Sequence, residues 1–106
     1  MVKIKACLAS ELSSGTMRSI NLQGRTVLIV NVNGHIYAVD GICANDGGNL
    51  ADGAIKGFIV KCPLDGSEFD LRTGKLVKEA WGTSNKKQDL RSYVITLENG
   101  CIYIDI

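Results

Sequence analysis

Two thiol-bearing segments concentrate the chemistry of this sequence: Cys43-Ala44-Asn45-Asp46-Gly47-Gly48-Asn49-Leu50 and, nineteen residues after the first Cys, Cys62-Pro63-Leu64-Asp65-Gly66-Ser67-Glu68-Phe69-Asp70. Each places one thiol at the start of a Gly-rich turn. As thiolates, two such groups can ligate a metal; as buried thiols they behave as small apolar residues. The remaining thiols, Cys7 and Cys101, lie near the two ends of the chain, outside these segments. The chain has a single His, so a site built on two imidazoles is excluded. There is no acid/base pair, no nucleophile beside a base and no phosphate-binding loop, so the sequence does not read as an enzyme in its own right.

The elements that must position these thiols are short strands punctuated by Gly and Asn/Asp turns, with hardly any helical periodicity. An all-β fold is expected. Residues 2 to 8 alternate polar and apolar side chains, and residues 16 to 22 do so less cleanly before Gln23-Gly24. Residues 25 to 32 are β-branched and apolar enough for burial on both faces. Asn33-Gly34 then supplies the positive φ angles of a type I′ turn into residues 35 to 40, and Asn99-Gly100 does the same between residues 91 to 98 and 101 to 105. Residues 41 to 53 read as a loop by composition, residues 58 to 62 and 67 to 71 as short strands, and Pro63-Leu64-Asp65-Gly66 as a turn. Residues 76 to 90 read as polar and irregular, with Lys86-Lys87 solvated and Trp81 half-buried beneath them. The layout expected is one domain, 1–106, with a β base from residues 1–40 and 75–106 and an inserted loop-rich lobe, 41–74, where function sits.

Composition narrows the class. A chain of 106 residues supports one core. With 12 Lys plus Arg against 11 Asp plus Glu, the net charge of +1 offers no electrostatic footprint for a nucleic acid. The longest aliphatic run, Val27 to Val30, is far short of the roughly 20 residues of a membrane span, and the opening residues lack the apolar stretch of a signal peptide. The expected location is the cytoplasm, where four Cys are reduced or metal-binding more often than paired.

The two thiol segments resemble the Rieske family signature, Cys-x-His near Gly-Gly followed after a spacer by Cys-Pro-x-His-Gly-Ser-x-Phe/Tyr-Asp. The match extends outward to Asn33-Gly34-His35-Ile36-Tyr37-Ala38-Val39-Asp40, similar to the strand leading into the first cluster loop of Rieske ferredoxins, and to Leu71-Arg72-Thr73-Gly74. The resemblance covers roughly residues 25 to 76. It implies a Rieske-like fold, an antiparallel β base with an inserted cluster-binding lobe, and a [2Fe-2S] cluster with two Cys on one iron and two His on the other. Here the Cys positions are Cys43 and Cys62, whereas the His positions hold Asn45 and Asp65. His35 lies eight residues before Cys43, outside both loops, and reads as an exposed turn residue.

A carboxylate can bind iron, but a neutral amide oxygen is a weak donor beside imidazole or thiolate. A standard His2Cys2 cluster is therefore not expected. Metal ligands implied by the resemblance are Cys43 and Cys62, joined by Asp65 and Asn45 in an altered site. Gly47, Gly48, Leu64, Gly66 and Ser67 surround the pocket. Two thiolates about 2.3 Å from one metal lie about 3.7 Å apart, so a Cys43–Cys62 disulfide is an alternative once the metal is gone. Ser67 matches a hydroxyl that bonds cluster sulfur in high-potential members. Phe69 stands where those members have Tyr, which places an intact cluster at the low-potential end. Leu50 and Leu64 cover the pocket, Leu64 also serving as a candidate docking residue. Cys7 and Cys101 read as packing residues of the base, with a mutual disulfide as the alternative.

The reading that follows is a Rieske ferredoxin-like component of a redox system, clusterless or with an altered site, that docks on a reductase or on an oxygenase- or nitrite reductase-type enzyme. Two others stay open. One is an electron carrier whose non-standard [2Fe-2S] cluster or single metal is held by Cys43, Cys62 and Asp65; the other is an engineered ligand variant of an ordinary Rieske ferredoxin.

Overall fold

The structure is a computed structural model that describes residues 3–43, 47–64, 66–78 and 88–106. Eleven strands are defined: β1 (Lys3–Leu8), β2 (Met17–Leu22), β3 (Arg25–Val32), β4 (His35–Asp40), β5 (Ala54–Lys56), β6 (Ile59–Lys61), β7 (Glu68–Asp70), β8 (Leu76–Lys78), β9 (Ser92–Tyr93), β10 (Ile95–Glu98) and β11 (Cys101–Asp105). They form three antiparallel sheets, ordered β1-β11-β10, β2-β3-β4-β9 and β5-β6-β7-β8. Two single-turn 3-10 helices, Ala9–Glu11 and Leu50–Asp52, complete the described elements. None of the helices is long and apolar enough to cross a membrane.

Three hairpins share one turn geometry. Gln23-Gly24, Asn33-Gly34 and Asn99-Gly100 have φ of 51° and 81°, 53° and 91°, and 50° and 74°. Positive φ at both central residues is the type I′ signature, whose twist matches that of the strands it joins. Asn and Gly tolerate that conformation with least strain. The resulting two-residue connections fix the registers Val32↔His35 and Glu98↔Cys101, as the Asn-Gly pairs predict.

β3 is the partition of the molecule. Its consecutive residues Val27, Leu28, Ile29 and Val30 are all 0% exposed, because successive side chains enter opposite apolar layers. On one face Val27 and Ile29 join Ala38, Tyr93, Ile102, Ile104 and Cys7. On the other, Leu28, Val30, Val32 and Val39 join Val60, Phe69, Leu71, Leu90 and both loop cysteines. The base thus supplies a fully apolar wall against which the third sheet closes, each buried aliphatic side chain contributing roughly 1.5–3 kcal/mol.

Several elements differ from the sequence expectation. Residues 91 to 98 do not form one strand: β9 pairs with β4 and β10 with β11, so the chain changes sheets at the exposed Val94. Alternation of apolar residues runs through both halves and carries no sign of the switch. Within residues 76 to 90, β8 pairs with β7, so the lobe's sheet extends past residue 74. β5 lies just after the expected loop, in residues to which the sequence assigns no element, since strands of three residues are too short to show a period. Cys7 and Cys101 are not bridged: both are free thiols. Their register explains it, for Cys7 lies opposite Ile102 and Cys101 opposite Leu8, which turns the two side chains to opposite faces. Trp81 and Lys86-Lys87 lie outside the described residues.

Candidate metal centre

Cys43 and Cys62 arrive in the site from different sheets. The first follows β4, whose end is anchored when Gly41 N–H donates to Thr26 O at 2.9 Å. Gly41 has no room for a side chain, because an added Cβ would stand 2.8 Å from Thr26 Cγ2. An isolated bridge between Ile42 and Asn49, with Leu50 N–H donating to Gly41 O at 2.9 Å, pinches the loop at its base. The Asn49 side chain then caps the helical turn Leu50–Asp52 by accepting from Ala51 N–H at 3.1 Å. Cys62 directly follows β6, in the connection between β6 and β7.

Both loops are closed by the same pair of backbone hydrogen bonds. Cys43 N–H donates to Gly48 O at 2.7 Å while Gly47 N–H donates to Cys43 O at 3.0 Å. Cys62 N–H donates to Ser67 O at 2.8 Å while Gly66 N–H donates to Cys62 O at 3.2 Å. The glycine four residues after each Cys has a left-handed φ, 79° at Gly47 and 76° at Gly66. These are the positions where Gly is required by conformation. The equal Cys-to-Gly spacing was in the sequence, but only the hydrogen bonds show the loops to be twins.

The two cysteines are 3% and 1% exposed and belong to one apolar cluster with Leu28, Leu50, Val60 and Phe69. The fold therefore buries in one apolar cluster the two thiols that the sequence singled out. Ser67 is 0% exposed at the closing step of the second loop, and Gly48 is buried at the closing step of the first. Leu50 is fully buried as expected, whereas Leu64 is 66% exposed and faces solvent together with Ile42, at 40%. A cleft of about 280 Å³ borders Cys62, lined by Asp52, Gly53, Ala54, Lys61 and Pro63. Asn45 and Asp65, the residues at the imidazole positions, lie outside the described residues.

The donor set does not fit the family's cluster. His35 opens β4 at an exposed position opposite Val32, and imidazole is supplied by no other residue of the chain. Among the described residues no group of three or more His, Cys, Asp or Glu side chains converges as a metal site.

Charged groups brace the lobe around this pocket. The Arg72 guanidinium holds the Asp70 carboxylate in two contacts, Nε to Oδ1 at 3.1 Å and a terminal nitrogen to Oδ2 at 2.9 Å, which lowers the Asp70 pKa. The same guanidinium lies 4.5 Å over the Phe58 ring, which meets Tyr37 edge-on at 5.9 Å. A segment that sequence reasoning missed ties lobe to base. Leu90 N–H donates to Gly74 O at 2.7 Å and Leu76 N–H to Asp89 Oδ1 at 2.8 Å, while Asp40 accepts from Tyr93 Oη at 2.6 Å and from Arg91 N–H at 2.9 Å. Its partners are distant in sequence, so no local pattern announced it.

Twin Cys loops are thus carried by a small β lobe on an antiparallel base. The chain belongs to the Rieske [2Fe-2S] domain family, whose model matches residues 2–93. It is 28% identical over 103 residues to the ferredoxin component of the naphthalene 1,2-dioxygenase system of Pseudomonas putida, covering 97% of this chain and 94% of that one. With the ferredoxin component of the p-cumate 2,3-dioxygenase system of Pseudomonas putida it shares 30% identity over 102 residues, covering 94% and 82%. The fold is that of the Sphingomonas yanoikuyae B1 ferredoxin, with a TM-score of 0.85 at 24% identity over 99% of both chains. A solved complex of reduced oxygenase and oxidised ferredoxin in carbazole 1,9a-dioxygenase also matches, with a TM-score of 0.84, 25% identity and coverage of 97% and 92%.

Proposed function

We propose that this protein is the ferredoxin-like component of an oxygenase-type redox system, a docking subunit whose pocket has lost the standard cluster. The observation that carries the reading is the contrast within one site. Both cysteines stay buried in twin, fully closed loops, while Asn45 and Asp65 stand in sequence where the imidazoles belong and the sole His is exposed on the base. Turn-favouring residues at those two positions suit loops kept for their shape, because Asn and Asp bond to nearby backbone and tolerate left-handed φ. In this reading the chain is one domain acting in the cytoplasm, its base built from residues 1–40 and the end of the chain and its lobe from residue 41 on, with β8 carrying the lobe's sheet past residue 74. The exposed Leu64 and Ile42 beside the two loops supply the apolar contact with an oxygenase or reductase, as relatives whose names place them in dioxygenase systems suggest.

A second reading is favoured by the retention of both cysteines. Cys43, Cys62 and Asp65, with Asn45 as a weak fourth donor, hold a single metal ion or an unusual cluster, and the pocket is ringed by Gly47, Gly48, Leu64, Gly66 and Ser67. A Cys43–Cys62 disulfide is the metal-free counterpart. An engineered ligand variant of an ordinary Rieske ferredoxin would share the docking surface. Titration of the protein onto an aromatic-ring terminal oxygenase, followed by turnover with reductase and NADH, separates these readings. The docking subunit binds and supports no turnover; binding with turnover establishes a carrier, and absence of binding to oxygenase and reductase alike overturns the docking role.

A further inference from the structure

The three type I′ turns are alike in backbone but not in how their second residue is held. In the first, Gly24 N–H donates to the side-chain oxygen of Asn21 at 3.1 Å; in the second, Gly34 N–H donates to that of Asn31 at 2.8 Å. Asn21 and Asn31 each stand two residues before the first central residue of their turn. In the third turn that place is taken by Leu97, an aliphatic side chain 56% exposed that cannot accept a hydrogen bond. Among the described residues, no side chain caps Gly100 N–H.

Two of these turns carry the same dipeptide, Asn33-Gly34 and Asn99-Gly100, and all four residues are exposed. In such a pair the backbone nitrogen of Gly can attack the side-chain amide of the preceding Asn. We infer that Asn99 is a site of spontaneous deamidation and isoaspartate formation, from which Asn33, with the identical neighbour, is protected by the Asn31 cap. Base removes the Gly100 N–H proton, the nitrogen forms a bond to Asn99 Cγ, and the Cγ–NH2 bond breaks, ammonia leaving with a proton from water. Water then opens the five-membered imide at either carbonyl, giving an aspartate or a β-linked isoaspartate at position 99. No oxidant or reductant takes part.

Two features separate the turns. A hydrogen-bonded N–H is harder to deprotonate and to swing out of its turn, and only Gly34 has that bond. The Asn33 turn is also embedded, joining the central strands β3 and β4, each flanked on both sides. The Asn99 turn joins β11 to β10, a four-residue strand at the edge of its sheet. Conversion there has structural consequences. A new carboxylate appears beside Glu98, whose Oε1 already lies 2.6 Å from Lys3 Nζ, and a β-linkage adds one backbone carbon to a two-residue turn. The register Glu98↔Cys101 and the bond from Ala9 N–H to Gly100 O, 2.8 Å, both depend on that turn.

Peptide mapping by mass spectrometry of the full chain, incubated folded at mildly alkaline pH, tests the inference. Position 99 is expected to convert faster than position 33 by roughly fivefold, the ratio one net hydrogen bond supplies. Leu97→Asn, a change at an exposed position, is expected to slow position 99 toward the rate at 33, and in denaturant the two positions are expected to convert alike. Equal rates in the folded protein, a gap that persists in denaturant, or indifference to Leu97→Asn would overturn it.

Discussion

Asn45 and Asp65 stand at the sequence positions of the family's imidazoles, and on the reading proposed above the departure is confined to those ligands. The loops keep their closing hydrogen bonds, their left-handed glycines and their buried cysteines. Asn45→His combined with Asp65→His is therefore expected to restore cluster assembly, checked by iron and sulfide content after anaerobic reconstitution. Phe69, whose lack of a hydroxyl places an intact cluster at the low-potential end by the family resemblance, is 0% exposed on β7, inside the apolar layer shared with both cysteines. Phe69→Ala should cost about 3–5 kcal/mol in a denaturant titration. Asp70 sets an acid limit. Its pKa is depressed chiefly by hydrogen bonding to Arg72, so its contribution is present above the ordinary carboxylate value, near 3.9, and is lost as pH falls through the lower folded-state value. Arg72→Ala should remove that part of the acid dependence, a change readable in thermal midpoints between neutral and acid pH.

At the scale of elements, the segment from residue 88 to 93 does what a longer strand would do elsewhere: it fastens the lobe to the base. Gly74 has φ +81° and its missing side chain makes way for the Leu90 carbonyl, so Gly74→Ala is expected to destabilise the protein by about 2 kcal/mol or more, measured by chemical denaturation. On the base side, the Tyr93 phenol pKa is raised, first by burial and then by its hydrogen bond to Asp40. The sign for an acid held neutral is the reverse of Asp70. Stability is intact below the ordinary Tyr value near 10 and declines as pH rises toward the folded-state value. Tyr93→Phe should abolish that alkaline decline and cost about 1–2 kcal/mol at neutral pH, because a charged acceptor loses its donor.

For the molecule as a whole, the sequence carried the class of fold, its β base and its paired thiol loops. The Asn-Gly turns and the apolar residues 25 to 32 act locally, through backbone conformation and side-chain alternation, and local rules reveal them. What escaped was long-range. The switch of sheets at Val94, the pairing of β8 with β7 and the fastening of Leu90 to Gly74 depend on partners far along the chain. The candidate site was legible in Cys43 and Cys62, and in the absence of imidazole near them. The equivalence of their loops needed the hydrogen bonds.

The central claim is that this Rieske domain keeps the scaffold of the cluster site without the ligands for the standard cluster. Its most direct test is iron and acid-labile sulfide, with a visible spectrum, on the protein after anaerobic reconstitution, beside the Asn45→His, Asp65→His double variant treated identically. No stoichiometric [2Fe-2S] cluster is expected in the unaltered chain, and a reducible, coloured cluster is expected in the double variant. A full complement of iron and sulfide with a reducible Rieske-type spectrum in the unaltered chain would contradict this.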